Sequence, residues 1–65
     1  MGFDTFKERV NALIARAGGG ISVEFHQEDG KMFARCSEGT VIEGNSVAHS
    51  VKVSWGSGHT AIATF

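Results

Sequence analysis

Asp29-Gly30 stands between two runs that alternate apolar and polar residues, ISVEFHQE before it and KMFARC after it. Asp-Gly in that setting is a strong hairpin signal. The two central residues of a type I′ turn need positive φ, which glycine adopts freely and aspartate tolerates. A two-residue loop fixes the register: Glu28 faces Lys31, Gln27 faces Met32, His26 faces Phe33, Phe25 faces Ala34, Glu24 faces Arg35 and Val23 faces Cys36. Two opposite-charge pairs then fall on an outer face and an apolar set on an inner one. A slip by one residue would scramble both.

The chain before this hairpin reads as a helix over about residues 4–17. Phe3, Phe6, Val10, Leu13, Ile14 and Ala17 recur at helical spacing and form one apolar stripe, with Lys7, Glu8, Asn11 and Arg16 largely off it. Thr5 and Glu8 match a capping box, with Asp4 as a competing N-cap. Gly18-Gly19-Gly20 ends the segment.

Everything after Gly20 reads as strand and turn, with strands expected over about residues 21–27, 31–37, 40–43, 47–55 and 59–65. Glu38-Gly39 and Gly44-Asn45 are read as tight turns, and Gly56-Ser57-Gly58 as the last one. In the long fourth strand Val47, His49, Val51, Val53 and Trp55 share one face, with Ala48, Ser50, Lys52 and Ser54 on the other. The last hairpin has two registers. A two- or four-residue loop sets Val53 against Ile62, whereas a three-residue loop turns Ala61 and Ala63 toward the core. The fold expected is α+β: an N-terminal amphipathic helix packed on a four- to five-stranded antiparallel meander, in one domain over residues 1–65.

A chain of 65 residues buries only about 60% of its unfolded surface, so its stability is expected to be a few kcal/mol. A single cysteine, Cys36, excludes an intrachain disulfide, and no CxxC or HxxxH spacing offers structural zinc. Good packing or self-association is left to hold the fold. One free thiol fits a reducing compartment, no segment reads as a signal peptide or membrane span, and a cytoplasmic location is expected. The net charge of −1, from six basic and seven acidic residues, lacks the basic excess of a phosphate-binding protein.

Chemistry finds little purchase. The hairpin register puts His26 and Cys36 on opposite faces, which forbids a Cys–His nucleophilic pair. Cys36 reads as core filler beside Val23 and Val41. His26, His49 and His59 lie at spacings that specify no metal site. AGGGI follows a helix rather than preceding one, so it is no phosphate loop. No catalytic residue, cofactor or metal is expected, and the chain reads as a non-enzyme.

A binding function would use the outer sheet face. Glu24, His26, Phe33, Arg35 and Lys52 are expected there, with Ser54 and with Ile42 or Phe65 as further members. An aromatic beside Arg within a polar surround suits a protein interface. The function expected is a small stand-alone binding protein, an inhibitor or accessory factor of a larger protein complex such as phages and mobile elements carry. It would act through that face or through the edge strand His59–Phe65. Two alternatives stand beside it. One is weak binding of single-stranded nucleic acid by the same face. The other is a structural homo-oligomer paired through the edge strand, whose HTAIATF sequence has no charge and no proline.

Overall fold

The structure, a computed structural model, describes residues 1–47 and 49–64. Ala48 and Phe65, expected on the fourth and fifth strands, lie outside the described residues. One helix, α1 (Phe3–Arg16), packs on a five-stranded antiparallel sheet of order β1-β2-β3-β4-β5. The strands are β1 (Val23–Glu28), β2 (Lys31–Cys36), β3 (Val41–Asn45), β4 (Ser50–Ser54) and β5 (Thr60–Thr64). The expected α+β meander is the fold found.

The first hairpin has the register that Asp29-Gly30 dictates, from Val23↔Cys36 to Glu28↔Lys31. Asp29 and Gly30 take φ of 48° and 77°, as a type I′ turn requires. The β2–β3 and β4–β5 loops repeat one another. In each, a three-residue loop ends in a glycine of positive φ, Gly39 at 86° and Gly58 at 93°. The amide of Cys36 donates to the Thr40 carbonyl (2.8 Å), as that of Trp55 does to His59 (2.9 Å). The Gly39 amide donates to the Cys36 carbonyl (3.1 Å), as that of Gly58 does to Trp55 (3.0 Å). This is a type I turn closed by a left-handed residue, the usual three-residue hairpin. It settles the last register: Val53 faces Ala61 and Val51 faces Ala63, so Ile62 stands on the outer face opposite Lys52.

Four expectations are corrected. The helix begins at Phe3 with Gly2 as N-cap and no side-chain cap, so the Thr5–Glu8 capping box does not form. Phe3 is drawn into the helix by its ring contacts with Phe6 (6.4 Å) and Phe25 (6.5 Å), which places Asp4 in the first turn instead. Gly44-Asn45 is not the third turn, because β3 runs through both to pair Met32↔Gly44 and Lys31↔Asn45. The turn comes after them, begun by the Asn45 side chain, whose Oδ1 accepts the Val47 amide at 3.0 Å. The fourth strand is therefore Ser50–Ser54 rather than 47–55, and Val47 is 83% exposed. Ile42, offered as an outer-face residue, is buried in the core.

The helix C-terminus closes as a Schellman motif: Gly19 donates to the Ile14 carbonyl at 2.9 Å and Gly18 to the Ala15 carbonyl at 3.1 Å. Phe6, Val10, Met32, Ala34, Ile42 and Val51 form the buried core. Phe3, Leu13, Ile14, Val23, Phe25, Val53 and Ala63 pack around it half-buried, so the helix buries a narrower stripe than its sequence offers, and Ala17 is exposed. At Gly44 the Phe6 ring of the helix lies over the backbone of β3. A Cβ there would stand 3.0 Å from the Phe6 ring and 3.4 Å from Val51 Cγ1. Phe6 is fully buried, with the Phe25 ring edge-on at 6.3 Å and 82°, so its ring has little room to withdraw.

Gly44→Val should therefore lower stability by about 1–3 kcal/mol through overpacking. Urea unfolding followed by circular dichroism reads the change. An unchanged midpoint would mean that the ring does not sit on the glycine.

Candidate functional site: the uncovered sheet face

The helix covers one face of the sheet and leaves the other open. The registers lay that open face out in rows across the strands. The middle row is His26, Phe33, Glu43, Lys52 and Ile62. Beside it runs Glu24, Arg35, Val41, Ser54 and Thr60. Toward the other end lie Glu28, Lys31 and Asn45. The sequence-expected residues Glu24, His26, Phe33, Arg35 and Lys52 thus share one face, and all but Phe33 are exposed. Lys52 stands three strand spacings from His26, about 14 Å away, with Glu43 between it and Phe33.

Phe33 was expected to be exposed and is half-buried. Its ring stacks with that of His26, centroids 6.2 Å apart and planes inclined by 29°. His26 Nε2 lies 3.4 Å from Glu28 Oε2, so the imidazole is held between the phenyl ring and a carboxylate on its own strand. The face thereby has a packed aromatic centre near β1 and β2.

Each cation of the face has a carboxylate directly across the ladder: Lys31 opposite Glu28, Arg35 opposite Glu24 and Lys52 opposite Glu43. The charges balance locally, so the face offers no continuous basic track for a phosphate backbone. Glu24, Arg35 and His26 border a shallow hollow of about 140 Å³. A wider one of about 530 Å³ continues past the strand ends, lined by Ser22, Val23, Glu24, Arg35, Cys36 and Ser37.

Reasoning from the sequence missed Ile62, which is 66% exposed, and Val41. Ile62 follows only from the register of the last hairpin, and Val41 from β3 pairing Arg35↔Val41. That pairing also corrects the surroundings of Cys36. Val23 is its neighbour across β1, but Val41 lies on the opposite face. Cys36 is half-buried, and burial first, then the nearby Glu38 carboxylate, raises its thiol above the ordinary range.

The histidines stay apart. His26 is on the open face, while His49 borders a hollow of about 210 Å³ with Met1, Thr5 and Arg9 at the helix side. His59 begins the return from the last turn. Among the described residues no three His, Cys, Asp or Glu side chains gather as a metal site would need. Among the described residues no helix is long and apolar enough to cross a membrane. The chain matches no family model, no curated protein and no solved structure.

At pH 7 Cys36 should alkylate more slowly than free cysteine, because the raised thiol holds less thiolate, and the rate should climb as pH rises. Iodoacetamide labelling followed by mass spectrometry measures it. A rate equal to that of free cysteine at pH 7 would contradict this account of the thiol.

Proposed function

We propose that this chain is a small non-enzymatic binding protein that docks a protein partner through the open face of its sheet. Such a protein serves as an inhibitor or accessory factor of a larger complex. The observation that carries the reading is the composition of that face: a stacked His26–Phe33 pair, the exposed Ile62, and cations each set opposite a carboxylate. Protein interfaces combine an aromatic or arginine anchor with a charged, locally neutral surround. Single-strand nucleic-acid sites instead combine repeated aromatics with a groove of unopposed positive charge. The open face has the first pattern. Glu24 and Glu43 would meet a phosphate backbone on either side of Phe33.

Phe33 and Arg35 are the anchors of this reading, since they are adjacent same-face positions on β2, which pairs with a strand on either side. The double variant Phe33→Ala, Arg35→Ala should weaken partner binding by about 2 kcal/mol or more. Arg16→Ala, on the helix, should leave binding unchanged. Affinity capture with the three proteins, each checked for fold by circular dichroism, separates the outcomes. A partner retained equally by all three would place the docking surface elsewhere. Binding of a short mixed-sequence RNA that falls steeply with salt would favour the nucleic-acid alternative.

A further inference from the structure

The sheet has two open edges, β1 and β5, and they differ in how they are guarded. On β1 the side chains of Glu24, His26 and Glu28 flank the edge. Charge along a strand is a common defence against pairing with another chain. On β5 the residues are Thr60, Ala61, Ile62, Ala63 and Thr64, with no charge, no proline and no large side chain except Ile62.

The direction of the free backbone groups follows from the ladder. The Trp55 amide donates to the His59 carbonyl, so that pair is a hydrogen-bonded one. Bonded and non-bonded pairs alternate in an antiparallel ladder, which makes Val53–Ala61 and Val51–Ala63 the bonded pairs of β4 and β5. The N–H and C=O groups of Thr60, Ile62 and Thr64 therefore point away from β4, into the open edge. The side chains of the same three residues share the outer face with Ser54, Lys52 and Ser50, their β4 partners.

These three positions are self-complementary about Ile62. An antiparallel copy of β5 related by a two-fold axis through Ile62 would pair Ile62 with its own counterpart and Thr60 with Thr64 of the second copy. All three pairs then fall at hydrogen-bonded positions, giving on the order of six new backbone bonds. The side-chain pairs would be Ile with Ile and Thr with Thr, both β-branched and favourable across a ladder. No like charges meet. A two-fold closure also consumes the edge, so assembly stops at two chains.

We propose that the chain forms a two-fold homodimer by antiparallel β5–β5 pairing centred on Ile62, with a second copy of itself as the occupant of this edge. The proposal is independent of what the open face binds. A dimer of this kind sets the two open faces side by side in one continuous sheet, with Ile62 and Lys52 of each copy at the seam. It also adds ladder bonds to a domain whose core is small.

Sedimentation equilibrium on the full chain should give twice the 6.9 kDa chain mass. Two substitutions at the axis then test the register. Ile62→Lys sets two ammonium groups directly opposite, and Ile62→Glu two carboxylates, so each alone should sediment as a monomer. Mixed one to one, the two variants should recover the dimer, because a residue on the axis meets its own counterpart. Ile62 is 66% exposed, so both should keep the wild-type circular dichroism. Thr64→Lys, at the strand end, checks the edge by a route that leaves the centre intact and should weaken the dimer. A monomeric wild type, a dimer indifferent to Ile62→Lys, or a mixture that stays monomeric would each overturn the proposal.

Discussion

The Phe6 ring lies over Gly44 so closely that a Cβ there would stand 3.0 Å from it. A helix lies flat on a sheet only where bulk on one surface finds a gap on the other. Here the gap is a glycine on the central strand, and the bulk is a fully buried phenylalanine one turn into the helix. Phe25 from β1 meets that ring edge-on and Phe3 stacks beside it, while Val51 from β4 lies against the same glycine. The ring thus meets β1 and β3, which are not consecutive in the chain. The β2–β3 and β3–β4 ladders join the strands into one sheet, and the Phe6 ring docks the helix on it.

A consequence reaches the opposite face. Because the helix claims Met32, Ala34, Ile42 and Val51 for the core, their strand neighbours Phe33, Arg35, Glu43 and Lys52 must all point the other way. No side chain on the outer face can change sides without dismantling the inner one. The open face is accordingly built on paired strands rather than loops, which in the proposed binding role would lower the entropic cost of docking. Its charge is balanced locally, each cation opposite a carboxylate, which in the proposed binding role would supply orientation and selectivity more than long-range attraction.

How much of this was legible in the sequence varied with the turn chemistry. The first hairpin was readable to the residue, because Asp29-Gly30 permits one loop length and the cross-strand charges agree with it. The last hairpin was ambiguous, since Gly56 and Gly58 each supply a residue able to take positive φ, and only Gly58 is used that way. Ile62 could not be assigned to a face until that choice was made. The β3–β4 connection misled for the opposite reason. Its glycine, Gly44, belongs to the strand and serves packing, while the turn is made without glycine by the Asn45 side chain. The capping box failed because ring packing of Phe3 set the helix start ahead of it. The five outer-face residues share one face as hairpin register and alternation together indicate, yet Phe33 is less exposed than alternation suggests, because strand parity says nothing of the imidazole stacked on it.

With Phe6 seated on Gly44, nuclear Overhauser spectra should show strong cross-peaks between the Phe6 ring protons and the Gly44 Hα protons, with the latter shifted by the ring current. Phe6 ring protons that show contacts to other strands and none to Gly44 would contradict it, and with it the alignment of helix and sheet from which the open face follows.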